Sequence, residues 1–255
     1  VFSSCNKSDS PTPHGGLGSM EPLSYASSAV KVINYDGTVL LPTNTDLKLD
    51  QGLSRQLVEF VYYNEEGLST EENKYVTMQW LMKYPTSQPI LPGEAGADDP
   101  IILMNKNGEI GCVNNYINMF FRCFAFKENA GKDQTYAVPS VEFEVDPELI
   151  PSINSTDLDT VNVRLHLVAN RKEGEKIDLS DFWEEYPAAL DLLPLTDGSD
   201  YRYNFATRTE SGANISYIIK LNVKKYDTNQ SGDFDEEKIT TQFFTVKWTP
   251  NEPYI

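Results

Sequence analysis

Histidine is nearly missing from this chain, with only His14 and His166 in 255 residues. Neither has a nucleophile, an acid or a metal ligand beside it in sequence. No Gly-x-Ser-x-Gly, no HExxH and no glycine-rich phosphate loop occurs. The sequence therefore lacks a recognisable catalytic constellation, and the expectation is a protein that is not an enzyme. The carboxylates that do lie together, Asp98-Asp99 and Glu184-Glu185, are adjacent, and neighbours on an extended chain point apart. They do not form an acid/base pair. Cations are scarce as well. Twenty-one Lys and Arg stand against 38 Asp and Glu, a net charge of −17. So acidic a surface does not neutralise phosphates, which argues against nucleic acid and against adsorption to anionic membranes. No apolar run approaches the length that crosses a bilayer as a helix.

Cysteine is sparse too, with Cys5, Cys112 and Cys123 alone. If Asn114-Asn115 is a two-residue turn, Cys112 faces Ile117 and Cys123 lies far up the strand. That offset exceeds disulfide geometry, so the two are read as buried free thiols.

What is present points to β-structure. Hydrophobic residues make up 40% and aromatics 11%, with fifteen Pro, fifteen Gly and fourteen Tyr. The most apolar stretch is residues 116–126, YINMFFRCFAF, bounded on both sides by turn residues. It reads as one long strand. Ile117, Met119, Phe121 and Cys123 share one face, while Asn118, Phe120, Arg122 and Phe124 share the other. Apolar residues on both faces predict a central strand covered on both sides.

Val1-Phe2-Ser3-Ser4-Cys5 resembles the end of a bacterial lipoprotein signal, in which a small residue precedes a cysteine that becomes lipidated. Cys5 is thus the candidate lipid attachment site, and the anchor the expected link to a membrane. The polar, Pro- and Gly-rich stretch after it reads as a flexible tether, giving an anchor and tether over residues 1–25.

Over residues 26–90, short strands flank the turn Asp36-Gly37, a hairpin signal. Longer strands follow at 55–63 and 75–83. Several strands in so short a span predict a small OB-like barrel. The stretches VKVINYDGTVLLPTN, LDQGLSRQLVEFVYYNEE and YVTMQWLMKYP resemble the NigD-like lipoproteins, through Asp36-Gly37, Leu41-Pro42, Gly52, Arg55 and Tyr63. The resemblance implies a lipidated cysteine, an OB-fold barrel and then a β-sandwich. It also implies a cell-envelope lipoprotein of Gram-negative gut anaerobes, anchored in the outer membrane and facing the periplasm or the cell surface. It brings no catalytic or binding residues with it. OB barrels often bind oligonucleotides or sugars on one face. Tyr62, Tyr63, Tyr75, Trp80 and Tyr84 are candidates to stack on such a ligand, the alternative being barrel core and rim.

Residues 85–100 have the composition of a linker, rich in Pro, Gly and acid, and residues 85–99 are the expected site of first proteolysis. Residues 91–255 are then read as an antiparallel β-sandwich, so the chain as a whole is all-β, barrel first. Val161, Val163, Leu165 and Leu167 alternate with Asn162, Arg164, His166 and Val168. Residues 180–193 carry apolar side chains at helical spacing and make the one plausible helix, interrupted by Pro187. Residues 201–207, 215–226 and 239–248 complete the strands, the last two as a long hairpin. Between them, Asp227, Asn229, Ser231, Asp233 and Asp235 place oxygens at alternate positions with Gly232 at the bend, as in the opening of an EF-hand loop. Lys238 stands where the bidentate Glu belongs. A Ca²⁺ site and a metal-free hairpin loop both fit, and no other cofactor is expected. The function that remains is non-catalytic, binding or structural, toward an unknown glycan or an envelope protein.

Overall fold

The chain divides into two units, Val1–Tyr84 and Pro85–Ile255. The computed structural model describes residues 11–24, 28–65, 67–70, 74–104, 110–128, 135–145, 159–172, 182–196, 205–208, 211–228 and 234–250.

The first unit is a closed barrel of β1 (His14–Pro22), β2 (Val30–Asn34), β3 (Val39–Pro42), β4 (Gln56–Asn64) and β5 (Lys74–Lys83), in the order β1-β2-β3-β5-β4. β3 and β5 run parallel, and the remaining pairs are antiparallel. This is an OB-like barrel. Alternate residues point inward, so Met20, Val30, Val32, Leu40, Val58, Phe60, Val76 and Met78 form its core. Each such burial contributes about 1.5–3 kcal/mol before chain entropy is set against it.

One expectation fails here. His14–Pro22, read as tether, is a barrel strand held by β2 on one side and β4 on the other. Its glycines caused the misreading, and they answer to sterics. A Cβ on Gly18 would stand 2.5 Å from the Ile33 carbonyl oxygen, and one on Gly16 would stand 2.8 Å from Asn34 Oδ1 and 3.4 Å from the Phe60 ring. The strand is glycine-rich because it runs close against its neighbours.

The second unit is a sandwich of two sheets. One has the order β6 (Thr86–Ser87), β13 (Phe182–Asp191), β10 (Tyr116–Phe124), β8 (Leu103–Met104), with β9 (Gly111–Val113) also on β10. The other runs β15 (Phe234–Trp248), β14 (Tyr217–Thr228), β12 (Asp159–Val168), β11 (Ser140–Val145), β7 (Pro89–Ile90). Most pairs are antiparallel; β12–β14, β11–β7 and β13–β6 are parallel. Ile117, Met119, Phe121 and Cys123 meet Val161, Val163, Leu165, Leu167, Ile219 and Leu221 in one apolar layer.

Two further expectations are corrected. The helix is absent: 182–191 is a strand paired along β10, with Tyr186, Ala188 and Leu190 buried at a period of two. Pro187 lies opposite Phe120, and the helical spacing arose by chance from a run apolar on both faces. β10 itself is covered fully on one side and only in part on the other, where Tyr116 and Phe124 are buried at its ends. Asn118 and Phe120 are half-buried and Arg122 is exposed, since a mid-strand guanidinium keeps to water.

The β9–β10 turn is as expected. Asn114 and Asn115 both have positive φ, 49° and 63°, the geometry of a type I′ hairpin. Cys112 therefore pairs with Ile117, and Cys112 and Cys123 are free thiols, the first half-buried and the second buried.

Candidate binding face

The residues singled out by sequence fall in several places. Cys5 lies outside the described residues. So do Asn229, Ser231 and Asp233, and only the ends of the calcium loop can be placed. Asp227 and Asp235 face each other across the β14–β15 ladder, at a register shift after Tyr226. Asp235 Oδ1 accepts the Glu237 N–H at 3.1 Å, and its Oδ2 lies 3.8 Å from Lys238 Nζ. Among the described residues no group of three His, Cys, Asp or Glu is placed to hold a metal ion.

The five barrel aromatics do not share a surface. Tyr62 packs on the barrel core and stacks on His14 at a centroid distance of 5.3 Å. Tyr84 is buried, and its hydroxyl donates to Glu59 at 3.5 Å. Burial, followed by the Glu59 charge, pushes the Tyr84 phenol up to about 12. Tyr63 and Tyr75 alternate with the inward Tyr62, Val76 and Met78, and Trp80, which a register shift after Val61 sets opposite the outward Val61, joins them on the outer face of β4–β5. Trp80 is 47% exposed.

Sequence reasoning missed the most organised polar region, which lies on the outward face of the sheet containing β12. Residues 91–99, read as linker, cross this face as a strap. Gly93 N–H donates to Glu144 Oε2 at 3.0 Å, and Gly96 N–H donates to Glu142 Oε2 at 2.8 Å. Asp99 pairs as an isolated bridge with Leu167 and accepts the Ala169 N–H at 3.1 Å. Asp98 Oδ2 lies 2.6 Å from Lys224 Nζ. These bonds hold the segment expected to be cleaved first.

The strap also explains the one histidine in the sandwich. Alternation turns His166 outward, yet it is only 5% exposed. Its Nδ1 faces Asp98 Oδ1 at 3.3 Å and its Nε2 faces Glu144 Oε1 at 3.5 Å. Neither contact has the direction of a hydrogen bond, and the ring is packed in place between the two carboxylates. The two carboxylates lie off opposite ring nitrogens, so they do not converge on one metal position. Glu144, itself buried, also accepts from Arg164 Nη1. Glu142 and Glu144 are two apart on one strand face, which by strand geometry spaces their backbones about 7 Å. Both already accept strap N–H groups, so they brace the strap and are not free as an acid/base pair.

Beside the strap lies a hollow of about 540 Å³, lined by Pro92, Glu144, Asn162, Arg164, Asn222 and Thr241. A row across four strands supplies three of these residues, Glu144, Arg164 and Asn222, and continues past them to Phe243. Glu144 on β11 pairs with Arg164 on β12, Arg164 with Asn222 on β14, and Asn222 with Phe243 on β15. The position of each residue follows from its strand's alternation. The row itself joins residues up to 99 apart in sequence, and no local signal announces it.

Searches by sequence give no match to any family model or curated protein. Solved structures do match. A protein from Bacteroides fragilis, provisionally described as a lipoprotein, superposes with a TM-score of 0.57 at 12% identity, covering 95% of this chain and 100% of that one. A protein from Parabacteroides distasonis, provisionally described as toxin-related, gives 0.53 at 12% identity, over 93% and 94%. A NigD-like immunity protein from Bacteroides caccae gives 0.48 at 16%, over 95% and 99%. The first two show that barrel followed by sandwich is a fold already seen in these bacteria.

Proposed function

We propose that the chain is a non-catalytic cell-envelope lipoprotein of the NigD-like kind, and that it binds a partner through the outward face of its sandwich. The observation that carries this reading is the bracing of that face. Glu142, Glu144, His166 and Asp98 all serve to fix the strap, which leaves the hollow beside it rigid and polar. A fixed polar hollow with its carboxylates already engaged suits recognition better than proton transfer. The partner is a glycan or an envelope protein. The B. fragilis fold relative is provisionally described as a lipoprotein, in keeping with the envelope role.

Cys5 supplies the membrane link, placing both units outside the bilayer on a short tether, anchored at the outer membrane. Labelling cells of a Bacteroides host with an alkyne fatty acid tests this. The protein should take up the label and fractionate with membranes, and Cys5→Ser should do neither. Label retained in Cys5→Ser would refute the anchor. A weak Ca²⁺ site at Asp227, Asn229, Ser231, Asp233 and Asp235 remains an additional proposal. Titration calorimetry on chelator-treated protein would show heat at about millimolar Ca²⁺, lost in Asp227→Ala; no heat ends it.

A second reading places a glycan on the barrel instead, on the outward Tyr63, Tyr75 and Trp80. Its support is the exposure of Trp80.

A further inference from the structure

We infer that the hollow on the sandwich is a binding site for uncharged oligosaccharide, with Phe243 as the platform for a sugar ring. The inference rests on the binding role proposed above and names its ligand class and its location.

A pyranose offers two things to a protein. Its hydroxyls each donate and accept hydrogen bonds in the ring plane. Its axial C–H faces are apolar and lie flat on an aromatic ring. A site for it therefore needs planar polar side chains fixed in place, with an exposed aromatic beside them. The cross-strand row supplies both. The Arg164 guanidinium is held by Glu144, so its remaining N–H groups are presented in a fixed fork. Asn222 spends its amide hydrogens on two backbone carbonyls, Val163 at 3.2 Å and Lys220 at 3.1 Å. With its nitrogen so committed, Asn222 has Oδ1 left as an acceptor. Asn162 and Thr241 line the same hollow and add an amide and a hydroxyl.

Phe243 is the residue that the fold does not explain. It lies on the polar, outward face of β15, directly opposite Asn222, and is 61% exposed. Lys220 Nζ stands 4.7 Å from its ring centre, a cation–π contact that steadies the ring. The exposure leaves most of the ring open. At the usual strand spacing of about 4.8 Å, the row from Glu144 to Phe243 spans about 14 Å, several sugar units rather than one.

Charge selects among ligands. Arg164 is neutralised by Glu144 within the hollow, and the Lys220 ammonium is engaged with the Phe243 ring. That suits hydroxyls over phosphate or carboxylate. The volume of about 540 Å³ falls within the usual range for small-ligand sites. A protein partner would need a wider surface than this bounded hollow.

The test uses the full chain and four probes: cellotetraose, mannotetraose, xylotetraose and maltotetraose, each titrated by calorimetry. At least one should bind with a Kd at or below about 1 mM. Phe243→Ala and Asn222→Ala should each weaken that binding tenfold or more. Phe243→Trp should retain it. Tyr35→Ala removes a barrel aromatic that is 63% exposed and should change nothing. Circular dichroism and melting of each variant show that the fold is kept; Phe243 is a surface residue, so its replacement has little to disrupt. If none of the four sugars binds, or if Phe243→Ala binds as well as the parent, the assignment is wrong. If Trp80→Ala abolishes binding while Phe243→Ala does not, the sugar sits on the barrel and the assignment again fails. The anchored-lipoprotein reading is tested separately, by fatty-acid labelling, and survives any of these failures.

Discussion

At Gly18 a hydrogen takes the place where any other side chain would meet the Ile33 carbonyl oxygen at 2.5 Å. Backbone cannot move aside as a flexible side chain does, so Gly18→Ala forces β1 away from β2. We expect a loss of about 1–3 kcal/mol, the usual range for overpacking, seen as a lower urea midpoint. An unchanged midpoint would mean that β1 is not closely packed. The thiols give a second prediction. Burial pushes Cys112 and Cys123 up to about 12, with the Asp99 charge adding to the effect at Cys123. The thiolate is the reactive form, so alkylation near pH 8.5 should run on the order of 10³-fold slower than for a free cysteine. The sign follows from the raised values. Both groups stay protonated in the folded state through the mildly alkaline range, and the stability this contributes is lost as pH rises from about 9 through about 12. Labelling by mass spectrometry at glutathione-like rates at pH 8.5 would contradict the burial. At this scale the sequence was informative where the cause is local: the Asn114-Asn115 turn and the unpaired thiols follow from neighbours in the chain. His166 was opaque because its burial depends on Asp98, 68 positions earlier.

Elements were legible in proportion to their alternation. β4, β5, β10, β12 and the β14–β15 hairpin carry clean period-two patterns and stand close to where the sequence places them. β1 hides because glycine has no pattern to read. β13 hides because its run is apolar at several spacings, and pairing with β10 decided among them. The strap hides because Pro, Gly and acid describe a linker equally well until two glutamates bind its N–H groups. Those bonds give a prediction for the element. Endoproteinase Glu-C should cut slowly after Glu94 in the parent and at least several-fold faster in Glu144→Ala, which removes the acceptor for Gly93 and a contact of His166. Rapid cutting after Glu94 in the parent would show that the strap is not fastened.

For the whole molecule, composition sufficed to predict a β-rich, acidic chain, while strand spacing and the family resemblance carried the order barrel then sandwich. Fold relatives at 12% identity show how little of that depends on particular residues. The binding face is a different matter, since Glu144, Arg164, Asn222 and Phe243 become neighbours only through sheet topology. Chemical-shift mapping of isotope-labelled full-length protein, titrated with whichever tetraose binds, tests that face most directly. The account predicts shifts concentrated in residues 141–145, 162–166, 220–224 and 241–245, with the barrel amides of residues 56–64 and 74–83 unmoved. Shifts centred on those barrel strands, or scattered over both units without a focus, would contradict it.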